Sequence, residues 1–96
     1  MPNQIIQKRR IKMSSKLDYV KSQINDVYFG RAERANIGGV EFNRFGFAYA
    51  GTVRNCKYDA IDVNEHDGII WVEFVTIGEP VIVVGIPKRA IQIPEN

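Results

Sequence analysis

Cysteine is almost missing from this chain. Cys56 stands alone among 96 residues, which excludes an internal disulfide and makes a reducing compartment, the cytoplasm, the expected setting. Histidine is equally scarce: His66 has no second histidine with which to build a multi-histidine zinc site within one chain. No apolar run approaches the roughly 20 residues of a membrane-spanning helix. The basic first residues are not followed by an apolar signal core, so secretion is not expected. Lysine and arginine are absent between Lys57 and Lys88, a stretch that holds Asp59, Asp62, Glu65, Asp67, Glu73 and Glu79.

The length suits one domain with a modest core. Net charge is only +2, but it is unevenly placed. Residues 1–12 carry Lys8, Arg9, Arg10 and Lys12 and no acid, whereas the remainder holds 9 bases and 11 acids. A basic arm on a mildly acidic body suits an acidic partner met through the arm, and argues against a body that grips nucleic acid across its whole face. The arm reads either as a fraying terminus or as a segment that orders on a partner. Met13, followed by Ser14-Ser15, reads as an alternative start.

Ser14 or Ser15 is a good helix N-cap, and Leu17, Val20, Ile24, Val27 and Tyr28 follow on one helical face. Gly30 closes the segment, giving an amphipathic helix within residues 13–30. Such a helix cannot bury its stripe alone, so it lies on the rest of the chain or on another protein. Residues 31–36 read as a polar crossing. The Gly38-Gly39 pair suggests a bulge or a close backbone approach, and Asn43-Arg44 a short turn. Phe45–Val53 alternates as one strand, with Phe45, Phe47 and Tyr49 on a large inward face and Gly46, Ala48 and Ala50 on a small one where the helix could approach. Residues 54–63 form a weaker strand or an excursion, and Asn64–Gly68 a turn. In Ile69–Ile77, Ile70, Val72 and Phe74 point inward, opposite Ile69, Trp71, Glu73 and Val75. After a Gly78-Glu79-Pro80 turn, Val81–Ile86 is apolar on both faces and should be covered on both. A last strand follows at Ala90–Ile93.

The segment Gly85-Ile86-Pro87-Lys88-Arg89-Ala90-Ile91-Gln92-Ile93 resembles the closing part of Src-homology-3-like barrels, in which proline opens a 3₁₀ turn before the final strand. Gly51-Thr52-Val53 and Gly68–Phe74 look like that family's middle strands. The resemblance spans residues 37–94 and implies a barrel. The acidic aromatic motif and the tryptophan pair of the peptide groove are missing, and Ala90 stands where a tyrosine is usual, so proline-rich peptide binding is not implied. Arg44-Phe45-Gly46-Phe47-Ala48-Tyr49 resembles the base-stacking strand of RNA-recognition and cold-shock domains, although Arg44 replaces the usual glycine. The compact Lys/Asn/Ile-rich style is similar to small proteins of bacteriophages and mobile elements that serve in virion assembly or bind host factors.

Chemistry-bearing constellations are thin. Asp59, Asp62, Asn64, Glu65, His66 and Asp67 could in principle hold a hard cation, but the order does not fit an EF-hand loop and a solvated acidic loop is the simpler reading. Cys56 and His66 lack an orienting third group for nucleophilic catalysis. Trp71 beside Ile69, Val75 and Glu73 is the better candidate, an outward apolar patch of the kind that marks an interface unless the helix covers it.

The expected molecule is therefore mainly β with one N-terminal helix (α+β), a five-stranded antiparallel barrel over residues 37–94. It is expected to be non-enzymatic, to use no cofactor or metal, and to bind a protein partner or its own copies through Trp71, Ile69, Val75 and Glu73. The alternative is nucleic-acid binding through Lys8, Arg9, Arg10, Lys12, Arg44 and Tyr49. No membrane association is expected.

Overall fold

Two-residue turns dominate the chain's path. The computed structural model describes residues 15–94. A helix, α1 (Lys16–Tyr28), is followed by seven strands: β1 (Arg34–Ile37), β2 (Val40–Asn43), β3 (Gly46–Tyr49), β4 (Thr52–Asn55), β5 (Ala60–His66), β6 (Ile69–Thr76) and β7 (Glu79–Pro87). A short 3₁₀ turn, Lys88–Ala90, comes last. Four turns place positive φ at both central residues: Gly38-Gly39, Ala50-Gly51, Asp67-Gly68 and Ile77-Gly78. That signature matches the hairpin turn whose twist suits antiparallel strands, and glycine at the second position removes the steric cost there. The fifth turn, Arg44-Phe45, is fastened by Asn43, whose Oδ1 accepts from the Phe45 amide at 2.7 Å.

This meander corrects several sequence expectations. Gly38-Gly39 is a hairpin turn joining Ile37 to Val40, so residues 34–37 are a strand and not a crossing. Phe45–Val53 is two strands folded at Ala50-Gly51. The Asn64–Gly68 turn contracts to Asp67-Gly68, and the next turn begins one residue early, at Ile77. Strands joined by two-residue turns pair only with their sequence neighbours. The result is a four-stranded sheet, β1-β2-β3-β4, and a three-stranded sheet, β5-β6-β7, connected by residues 56–59. The five-stranded closed barrel is thus not formed: the described residues make seven strands in two sheets with no ladder between them. The final strand is also missing, since Ile91–Pro94 has no regular structure although Ile91 itself is buried.

The helix begins as expected. The Ser15 hydroxyl accepts from the Asp18 amide at 3.0 Å, and Gly30 leaves the helix at φ 80°. Val20, Ile24 and Val27 are buried, and α1 packs on β5, β1 and β2. They share one core with Ile37 and Phe42 of the first sheet and Ile70, Val72, Phe74 and Ile86 of the second. Phe74 joins the layers: its ring lies 6.3 Å from Phe42, 5.8 Å from Phe47 and, edge to face, 5.3 Å from Tyr58. The small face of β3 is not where the helix lands, because β2 and β1 carry that contact.

Candidate functional site

Register places the expected partner-binding residues on the second sheet. Ile70, Val72 and Phe74 face the core, so alternation turns Ile69, Trp71 and Glu73 to the opposite side. The helix lies against the core side, and Trp71 is half-buried on a face that no described helix or strand covers. Its cross-strand partner is Gly85, and the indole occupies the space there: a Cβ on Gly85 would lie 2.5 Å from Trp71 Cζ3. Val75 follows Glu73 by the same alternation but adds no exposed surface. The register shifts between Phe74 and Val75, leaving Val81 as the extra residue, and Val75 is buried.

Sequence reading missed what β7 adds. Val81–Ile86 was expected to be covered on both faces, yet Val81 is 53% and Val83 48% exposed, and Ile86 alone in that run is fully buried. Val83 pairs with Glu73 beside Trp71. β7 is also an edge strand with no backbone ladder to the first sheet. An edge position explains how Pro80 is tolerated within it, since no neighbour needs its missing amide proton. The signal available in the sequence was the lack of any charge between Pro80 and Pro87.

The acidic run disperses once placed. It lies mostly along β5, where alternation sends Glu65 to one face and Asp62, Asn64 and His66 to the other. Glu65 accepts from Lys88 Nζ at 2.7 Å, Asp59 accepts from the Ile77 amide at 3.0 Å, and His66 Nδ1 sits 3.2 Å from Asp67. Among the described residues no cluster of metal ligands forms. Cys56 precedes β5 and His66 ends it, so the seven-residue strand, about 20 Å from end to end, lies between them. Burial pushes the Cys56 thiol above its ordinary value, only partly offset by Arg54, which disfavours the nucleophilic thiolate.

Of the residues expected to meet nucleic acid, only Arg44 and Tyr49 lie among the described residues. Arg44 lies in the β2–β3 turn and Tyr49 at the far end of β3, both exposed, and Lys8, Arg9, Arg10 and Lys12 lie outside the described residues. Phe45 is not a core residue: it occupies the β2–β3 turn and is 65% exposed, leaving Phe47 alone of that trio packed on the core. Tyr28 also leaves the helix's buried stripe and donates to the Asp59 carbonyl at 2.6 Å. No helix among the described residues is long and apolar enough to cross a membrane.

No family model, no curated protein and no solved structure matches this chain.

Proposed function

We propose that this chain is a non-enzymatic assembly module, that its contact surface is the outer face of β6 and β7, and that the occupant is a second copy of itself. The observation that carries this reading is the adjacency, among the described residues, of an uncovered apolar face and an unpaired edge. Trp71, Ile69 and Val83 lie side by side, and the β7 edge next to them is free of charge from Pro80 to Pro87. Edge strands usually carry lysine or a similar charge that discourages pairing. Two β7 edges related by a two-fold axis can pair antiparallel, which would extend the sheet and bring both apolar faces into one surface. The bulge at Val81 and the flanking prolines restrict such pairing to Ile82–Ile86, which fixes its register.

Light scattering coupled to size exclusion tests this. The intact chain should run as a dimer at micromolar concentration, and Val83→Lys or Trp71→Ser should convert it to a monomer with unchanged far-ultraviolet circular dichroism. A wild-type chain that stays monomeric throughout the micromolar range, or a dimer indifferent to both substitutions, overturns the reading.

A further inference from the structure

A second surface owes nothing to the β6–β7 face. Three segments far apart in sequence meet at the C-terminal end of α1: the helix end with Tyr28 and Phe29, the β2–β3 turn with Arg44 and Phe45, and the inter-sheet connection with Lys57 and Tyr58. Between them lies an open cleft of about 750 Å³. Its walls hold Tyr28, Phe45, Tyr58, Arg44 and Lys57, and no acid. Phe29 adjoins it, with its ring 5.2 Å from Tyr28 in an edge-on arrangement.

The rings are positioned, not loose. Tyr58 donates its hydroxyl proton to the Arg44 carbonyl and Tyr28 to that of Asp59, so each phenol is tied to backbone. Phe45 gains nothing comparable from the fold and is 65% exposed; Phe29 is 64% exposed, with the Arg31 guanidinium 5.6 Å from its ring centre. Arg44, Lys57 and the neighbouring Arg54 form no ion pair among the described residues. The nearby carboxylates are engaged elsewhere, Asp26 with Arg31 at 3.0 Å and Asp59 with the Ile77 amide. Charge also divides between the sheets. Residues 34–57 hold Arg34, Arg44, Arg54 and Lys57 against Glu41 alone, whereas residues 60–87 hold five acids and no lysine or arginine.

We infer that this cleft binds single-stranded nucleic acid, with bases stacking on Phe45 and Phe29 and phosphates meeting Arg44, Lys57 and Arg54. Flat apolar rings beside unpaired cations match a polyanion with flat faces. A cationic ligand is repelled by the same walls. An acidic peptide satisfies the cations but leaves the two exposed rings without a purpose. A duplex hides its base faces and cannot use them.

The test is fluorescence anisotropy on the full chain at low salt, with labelled oligothymidylate, a duplex of equal length and polyglutamate as probes. The single strand should bind best. Phe45→Ala should weaken it about tenfold, as expected for one lost stacking partner. The pair Arg44→Ala with Lys57→Ala should lower the slope of log K against log salt by about 1.4. Trp71→Ser should leave binding unchanged, so failure of the assembly reading and failure of this one are separable. Both cleft variants alter exposed positions, and circular dichroism checks that they fold. Absence of binding at low salt, preference for duplex or polyglutamate, or indifference to Phe45→Ala together with complete loss on deleting residues 1–12 each overturns the assignment.

Discussion

Trp71 and Gly85 face each other across β6 and β7, and the indole fills the volume a side chain would take at Gly85. Gly85 has an ordinary extended backbone, so glycine is required there for space and not for φ. The pairing shields the bare glycine backbone and holds the tryptophan flat on the sheet, as aromatic residues do beside strand glycines. It also presents an otherwise mobile side chain as a preformed surface.

Gly85→Ala should therefore displace the ring. An added methyl 2.5 Å from Cζ3 cannot coexist with it, and the half-buried indole is free to swing outward. The expected result is a red-shifted tryptophan emission and a loss of about 1–3 kcal/mol in urea unfolding. Since Trp71 is the only tryptophan, its emission reports this site alone. An unshifted spectrum would show that the ring is not held by this contact.

Gly38 is the first central residue of its hairpin turn and Gly51 the second of its own. Both have positive φ, 58° and 81°, but an added Cβ at Gly38 would lie 2.6 Å from Ile86 Cγ2, whereas at Gly51 it meets open space. Gly51→Ala should cost about 1 kcal/mol for the left-handed backbone alone. Gly38→Ala should cost more, about 2–4 kcal/mol, because Ile86 is fully buried and cannot retreat cheaply. Denaturant midpoints of the two variants, measured side by side, check the order.

Alkaline pH should loosen the cleft. Burial raises the Cys56 thiol above its ordinary 9.0, against a smaller pull from Arg54. Burial likewise raises the Tyr58 hydroxyl above 10.0, reinforced by Cys56 and Tyr28 and opposed by Arg44. Each group titrates later when folded than when unfolded. Its contribution is whole below the unfolded value and is lost as pH rises through the folded one. Stability in urea should thus be level from neutral pH to about 9 with respect to these two groups and fall above it. Cys56→Ala combined with Tyr58→Phe should flatten that fall, and an unchanged alkaline profile in the double variant would refute the account.

Much of the core was legible because periodicity carries it. Val20, Ile24 and Val27 at helical spacing, and Ile70, Val72 and Phe74 at strand spacing, are buried as their patterns imply. Ser15 and Gly30 mark the helix ends by the same local chemistry. The turns were harder. Ala50-Gly51 interrupts an unbroken alternation of large and small residues, and only its two positive φ angles reveal a hairpin inside an apparent strand. Placing the preceding turn at Asn43-Arg44, one residue early, put Phe45 in the core, when it belongs to the β2–β3 turn and lies on the surface beside Tyr28 and Tyr58.

Which residues seek burial, and how the helix starts and stops, can be read along the chain, since those depend on spacing and on groups a few positions apart. That the described strands form two sheets with β7 at an edge emerges only in three dimensions, because pairing depends on which turns close tightly and where one longer connection changes layer. Tertiary structure alone also brought Tyr28, Phe45 and Tyr58 to one cleft, a meeting across 30 residues that no local pattern encodes.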